Sequence, residues 1–170
     1  MGLVLLSLLA GGTIGGGMAW CLWTFLRSPD LVARVLFSET ANCTSQERLL
    51  VAGVMKNRIG HPAFGELTSL YEVAAQPGAF SCVDDDSNGN WARTRHPALL
   101  TTAEQAIWRE CLALAHGNIP PALGPSGRPL TFYHDKTITK PKAWDTETWQ
   151  VVHEHSTVHF VFYSVVPAAK

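Results

Sequence analysis

Hydrophobic residues recur at helical spacing from Leu31 onward and predict a first helix that ends close to Glu39. Val32, Val35 and Leu36 share one face of this helix, and Glu39 falls on the same face. A carboxyl group on an apolar face is costly to ionise, so its pKa should rise toward the range in which a general acid works. The alternative is that the helix simply ends there and the side chain turns into solvent. Glu39 is therefore the first candidate for chemistry.

Two further helices are predicted from their starting signals. Thr44 followed by Glu47 forms a capping box, and the helix that it opens should stop near Gly60. Glu39 would then lie in a tight corner between two helices. A second capping box, which begins at Thr101, opens a helix that should run to about His116.

Aromatic and β-branched residues are concentrated in two later segments, Thr131–His134 and Val158–Val165, and this composition predicts strands. The expected fold class is α+β, mainly helical, with a small antiparallel sheet beside the helical body. At 170 residues the chain is long enough for one domain with a core, which we assign to residues 28–170.

The first 26 residues carry no charged side chain and are long enough to span a bilayer as a hydrophobic helix, since about 20 residues suffice. Five glycines, at positions 11, 12, 15, 16 and 17, weaken this span in its middle. Because it lacks a basic start and a convincing cleavage site, a cleaved signal peptide fits poorly. Arg27 directly after the span argues against export by the positive-inside rule. We assign residues 1–27 to a separate N-terminal transmembrane segment.

Composition excludes some classes of function and leaves others open. The net charge is −1 with scattered basic residues, so no nucleic-acid partner is predicted. Six tryptophans are many for this length, and some could stack on sugar rings. Four cysteines without a Cys-x-x-Cys pair could form two disulfides in an exported domain, in three possible pairings. They are Cys21, Cys43, Cys82 and Cys111.

Three histidines near the C-terminus raise a rival interpretation. His153 and His155 would share a face of a strand, and with His159 they could form the metal site of a zinc-dependent wall peptidase. The chain lacks a His-Glu-x-x-His motif, however, and His134-Asp135 is the only upstream pair that could complete such a site. We therefore predict no metal and no cofactor.

Six sequence blocks occur in the order found in the cell-wall hydrolase family of spore-cortex-lytic enzymes, which this chain resembles over roughly residues 31–165. They begin at Leu31, Val51, Tyr71, Thr131, Pro141 and His159. The resemblance implies a lysozyme-like domain that cuts the glycan strands of peptidoglycan, with Glu39 as the essential acid. It also implies a groove, and our candidates for its substrate-binding residues are Gln76, Phe80, Ser81, Tyr133 and His134, with Trp144 in a stacking or packing role.

The chemistry expected of Glu39 depends on a second group. With a second carboxylate, for which Asp84, Asp85 and Asp86 are candidates, the enzyme would be a muramidase. Without one, the 6-hydroxyl of the sugar would attack after Glu39 turns base, as in a lytic transglycosylase, and the sequence favours this reading. A catalytically dead glycan-binding module is the remaining alternative.

The weak N-terminal span in front of such a domain resembles the signal-arrest-release endolysins of bacteriophages. This resemblance implies an enzyme that is tethered to the inner membrane through residues 1–26 and later released into the periplasm. It also implies that Cys21 could re-pair with Cys43 on release.

Overall fold

The structure is a computed structural model that describes residues 29–84 and 88–168. The helices are α1 (Pro29–Thr40), α2 (Ser45–Arg58), α3 (Leu70–Ala75), α4 (Ser81–Asp84), α5 (Gly89–Arg93) and α6 (Thr102–His116). The strands are β1 (Phe132–Asp135), β2 (Trp149–Ser156) and β3 (Phe160–Pro167), and short 3₁₀ turns cover Pro62–Phe64, Pro97–Leu99 and Lys142–Trp144. The described part of the chain is mainly helical with a small antiparallel sheet, which confirms the predicted fold class.

Helix α1 lies at the centre of the helical body. The predicted apolar face is buried, and so are the residues between its members, on the other faces of the helix. Even the polar residues Arg34 and Ser38 are buried, at 8 % and 7 % exposure. Arg34 is accommodated because its Nε donates to Thr94 Oγ1 over 3.0 Å and its guanidinium packs on the ring of Trp91. Burial on all sides makes α1 the core helix rather than a surface helix with one inward face.

Both predicted capping boxes are present. The Thr44 side chain accepts a hydrogen bond from the backbone N–H of Glu47, and the Glu47 carboxylate accepts one from the backbone N–H of Thr44. Thr101 and Glu104 make the same pair of hydrogen bonds at the start of α6. Helix α6 ends at His116, as predicted. These caps satisfy backbone donors that would otherwise have no partner at the helix start.

The corner between α1 and α2 is held from both sides. The backbone N–H of Cys43 donates to the carbonyl of Thr40 over 3.0 Å, and the buried side chain of Arg48 donates to the same carbonyl over 2.6 Å. A cation at the C-terminal end of α1 also complements the helix dipole. The corner that follows Glu39 is therefore fixed by two hydrogen bonds to the carbonyl of the next residue, Thr40.

The C-terminal end of α2 fixes the start of β1. Asn57 donates through Nδ2 to the carbonyls of Ala122 and Leu130, and Arg58 donates through Nε to the carbonyl of Thr131. Gly53 lets the preceding loop approach the helix, since a Cβ atom there would lie 2.7 Å from the Cβ of Ala122. These contacts anchor the start of β1 on the last turn of α2.

The three strands have the order β1-β3-β2, and both pairings are antiparallel. Strands β1 and β3 correspond to the two predicted segments, whereas β2 was considered only as a possible setting for its histidines. The register of β2 shifts between His153 and His155 at a β-bulge. Glu154, the residue between them, accepts hydrogen bonds from Ser126 and Arg128 of the neighbouring loop. The bulge turns this carboxylate toward that loop.

The predicted N-terminal hydrophobic helix and Cys21 lie outside the described residues. Within the described ranges, none of the helices combines the length and apolar character that a bilayer crossing requires. The predicted disulfides are not found among the described cysteines, since Cys43, Cys82 and Cys111 are free thiols. Cys82 and Cys111 are buried and contribute to the core.

Candidate active site

A pocket of about 310 Å³ opens where the last turn of α1 meets β1 and the start of α4. Five of the six residues proposed from the sequence line it, namely Glu39, Phe80, Ser81, Tyr133 and His134. The sixth, Gln76, lines an adjoining pocket of about 350 Å³. Residues proposed from the sequence, which are as far apart in the chain as Glu39 and His134, therefore lie in one pocket.

Glu39 is largely buried at the bottom of the first pocket, and this burial raises its pKa above the ordinary value. The Cys82 thiol and the Tyr133 hydroxyl both hydrogen-bond to the carboxylate and, with the charge of Arg58, partly oppose that rise. Tyr133 Oη donates to Glu39 Oε2 over 3.2 Å. The predicted effect of an apolar setting on the pKa of Glu39 is confirmed. The arrangement favours the protonated acid and also provides hydrogen-bond donors for its anion.

Tyr133 reaches Glu39 because side chains alternate along β1. It lies on the face of the sheet that packs on the helices, with its ring 5.2 Å from Phe160 and 6.0 Å from Phe162. Burial and the neighbouring Glu39 raise the pKa of Tyr133 well above its ordinary value, so it remains a hydrogen-bond donor. No sequence signal identified Cys82 as the second donor, because a thiol two residues after Phe80 reads as a small core residue.

His134 lies on the opposite face of β1 from Tyr133. Its Nδ1 lies 2.7 Å from the carbonyl oxygen of Asp135 and its Nε2 lies 2.8 Å from Tyr163 Oη, so in the neutral ring Nδ1 donates and Nε2 accepts. The ring also packs on Trp144. His134 thus lines the rim of the pocket with both nitrogens engaged, and Tyr133 is the residue that touches the acid.

The adjoining pocket is lined by aromatic rings. Phe132 lies between Phe64 and Trp144, with centroid distances of 5.0 and 4.6 Å, and Trp149 completes the wall. Arg58 is buried behind these rings and contacts their faces, which limits the cost of burying its charge. The two pockets share Ala79 and Trp144, so together they form one continuous cleft.

A second carboxylate lines the pocket of Glu39, and it is not one of those considered from the sequence. Asp85, Asp86 and the side chain of Asp84 lie outside the described residues. Among the described residues that line the pocket, the other carboxylate is Asp135. Hydrogen bonds from the Thr137 side chain and backbone lower its pKa. One acid with a raised pKa and one with a lowered pKa therefore share the pocket.

The three-histidine zinc site is wrong for a geometric reason. His153 is paired with Tyr163 and His155 with Phe162, which are consecutive residues of β3 and point to opposite faces of the sheet. The bulge between the two histidines causes this separation. Their rings accordingly contact Tyr163 on one face and Phe162 on the other. His159 lies in the β2–β3 turn and is hydrogen-bonded to Glu47 instead.

A family model described as Cell Wall Hydrolase matches residues 44–163. The matched range includes β1 and α4, which line the cleft, and it begins at Thr44, just after Glu39 and the end of α1. It confirms the family resemblance over those residues, and the block at Leu31 that contains Glu39 lies outside the match. Neither the comparison with curated proteins nor the comparison with solved structures gives a significant match.

Proposed function

The chain belongs to the cell wall hydrolase family, whose substrate is peptidoglycan, and on this basis we propose that it cleaves glycan strands with Glu39 as the proton donor. The observation that carries the proposal is the carboxyl group of Glu39 at the bottom of a cleft, with a pKa raised by burial and with Tyr133 and Cys82 as hydrogen-bond partners. A β-1,4 glycosidic bond needs a proton on its leaving oxygen before the sugar ring can take up positive charge.

The reaction begins when the Glu39 proton moves to the glycosidic oxygen and the bond from that oxygen to the anomeric carbon breaks. Tyr133 and Cys82 then stabilise the carboxylate that is left. In hydrolysis, water adds its hydroxyl to the anomeric carbon and gives its proton to a carboxylate. In transglycosylation, the sugar's own 6-hydroxyl adds to that carbon and returns its proton to Glu39.

Asp135 is the observation that favours hydrolysis, although the sequence favoured transglycosylation. Its low pKa keeps it ionised when Glu39 is protonated, as a base or a stabiliser of positive charge must be. The adjoining aromatic pocket suits the apolar faces of sugar rings, which would pack on Trp144 and Trp149.

Mass analysis of the products from purified sacculi tests the proposal. We expect glycan fragments with the wild type, none with Glu39→Gln, and normal amounts with Glu66→Gln, which alters an exposed acid outside the cleft. Reducing ends would indicate a muramidase, and 1,6-anhydro ends a lytic transglycosylase. In the first case Asp135→Asn should abolish cleavage. If sacculi bind the protein but release no fragments, the chain is a glycan-binding module.

We further propose that the enzyme is a phage endolysin that acts outside the cytoplasmic membrane. Residues 1–26 would hold it at the inner membrane until the weak, glycine-rich span leaves the bilayer and the domain enters the periplasm. Fractionation of cells before and after membrane depolarisation tests this. The wild type should move to the periplasmic fraction, whereas a variant with Gly15, Gly16 and Gly17 replaced by leucine should stay in the membrane. A wild type that stays there too would contradict release.

A further inference from the structure

A thiol, a carboxylate and an imidazole meet beside the active-site corner, outside the cleft. One ligand atom from each of Cys43, Glu47 and His159 lies within 4.8 Å of the other two. Cys43 belongs to the α1–α2 corner, Glu47 to the first turn of α2, and His159 to the turn between β2 and β3. The cluster therefore joins the helical body to the sheet. None of its members has a part in the proposed glycan cleavage.

The ligand geometry is already partly fixed. Glu47 is 2 % exposed, and its Oε1 accepts the backbone N–H of His159 over 2.9 Å while its Oε2 lies 2.9 Å from His159 Nδ1. The capping box holds the same carboxylate from the other side through the Thr44 N–H. An oriented carboxylate is thus available beside the imidazole.

The trio does not suit nucleophilic catalysis. Burial and the charge of Glu47 raise the pKa of the Cys43 thiol to about 11, so the free thiol stays protonated, whereas a nucleophilic cysteine needs a lowered pKa. A metal ion supplies what the protein does not, since a coordinating thiol is deprotonated outright.

Sulfur, nitrogen and oxygen from one cysteine, one histidine and one glutamate form a donor set that zinc accepts in tetrahedral sites. Zinc bonds of about 2.1 Å to nitrogen and oxygen place tetrahedral ligands about 3.4 Å apart. The Glu47–His159 pair would have to open by about half an ångström from its present 2.9 Å, and the thiol would have to close in from within 4.8 Å. These are side-chain movements, and Cys43 and His159 are both partly exposed.

We propose that Cys43, Glu47 and His159 bind one zinc ion that links the α1–α2 corner to the β2–β3 turn. The ion takes the place between His159 Nδ1 and Glu47 Oε2 that a hydrogen atom now occupies. The Cys43 proton leaves to solvent. The ring proton of His159 moves from Nδ1 to Nε2 by exchange with solvent, so that the neutral imidazole can bind the ion through Nδ1. Water fills the fourth position, near Asp135, whose charge acts on both Cys43 and His159. The ion stabilises the corner that follows Glu39 and takes no part in cleavage.

Zinc binding by the full chain, kept under a reductant, tests the proposal without any use of sacculi. Titration against a chromophoric chelator should give one ion per chain, and cobalt in place of zinc should give a thiolate-to-cobalt charge-transfer band. Cys43→Ser and His159→Asn should each weaken binding at least tenfold and abolish the band. The controls are Cys111→Ser, which removes a buried thiol elsewhere, and His153→Asn, which removes an exposed histidine of the same hairpin. Both should bind as the wild type does.

A thermal melt in chelator shows whether each variant still folds, and Cys43→Ser, at a partly exposed position, should melt as the wild type does under those conditions. With zinc added, the wild type and both controls should melt at a higher temperature, and Cys43→Ser should not. The proposal is overturned if the wild type binds no zinc in competition with the chelator. It is equally overturned if Cys43→Ser and His159→Asn bind zinc as tightly as the wild type, because the ion would then lie elsewhere.

Discussion

Replacing Tyr133 with phenylalanine isolates one hydrogen bond to the proposed acid. The ring and its contacts with Phe160 and Phe162 remain, and only the hydroxyl that donates to Glu39 Oε2 is lost. This donor favours the ionised form of Glu39 and so lowers its pKa. The substitution therefore raises the pKa of Glu39, and the proton needed for cleavage stays on the acid to higher pH.

The size of the effect follows from the geometry. A hydrogen bond to a charged group contributes about 1.5–3 kcal/mol, and the lower figure applies to a long bond. The distance of 3.2 Å is at the long end for two oxygen atoms. Since about 1.4 kcal/mol corresponds to one pKa unit, the alkaline limb of the pH–rate profile should move up by about one pH unit. Because a weaker acid also donates more slowly, the plateau should fall by no more than about tenfold.

The measurement is the loss of turbidity of purified sacculi as a function of pH, analysed as kcat/KM so that the limb reports the free enzyme. Tyr163→Phe is the matched control, because Tyr163 makes its hydrogen bond with His134 on the other face of the sheet and its loss should leave the limb in place. If the alkaline limb of the pH–rate profile does not move in Tyr133→Phe, or moves to lower pH, our account of the acid is refuted. Equal movement in both variants would show that the effect is not specific to Glu39.

Three further outcomes are expected. Glu39→Gln should lower the cleavage rate at least 10²-fold. It should also stabilise the fold, because burial of the ionised carboxylate lowers the free energy of unfolding, an effect that is absent below the unfolded pKa and appears as pH rises through the raised folded pKa. Chemical denaturation should therefore show a higher free energy of unfolding for the variant at alkaline pH and no difference at acidic pH. Gly53→Ala should destabilise by about 1–3 kcal/mol despite the better helix propensity of alanine, because the new Cβ meets Ala122; an unchanged denaturation midpoint would contradict the close packing. Trp149→Ala should raise KM for glycan by up to about tenfold with the alkaline limb unmoved, in keeping with a stacking contact of about 1 kcal/mol; a change in kcat alone would argue against it.

The elements that could be predicted are those whose signals are local. Capping boxes at Thr44 and Thr101 depend on residues three positions apart, and both were found in the structure. The helix that carries Glu39 was also predicted, but its burial on all sides was not, because Arg34 reads as a solvent-exposed residue until its partners on α5 and in the following turn are known. Periodicity reports one element at a time and cannot show what covers its polar face.

Apart from Glu39, which the apolar face of its helix singled out, the site was predicted only as far as the family resemblance extended. Tyr133 and Phe80 came from motifs, whereas Asp135 and Cys82 reach the pocket through tertiary packing that no local pattern encodes. The alternative zinc site of three histidines failed for a similar reason. A strand pattern assumes strict alternation, and a single extra residue at Glu154 separates His153 from His155.

Because the proposed acid, Glu39, is carried by the most deeply buried of the described helices, Pro29–Thr40, the position of its carboxyl group depends directly on the packing of the core. Heat or a substitution that loosens the core also displaces the acid, so cleavage and the folded state should be lost together. Attempts to broaden the range of glycans accepted would then do best at the aromatic rim, where a side chain can change without disturbing the support beneath the acid.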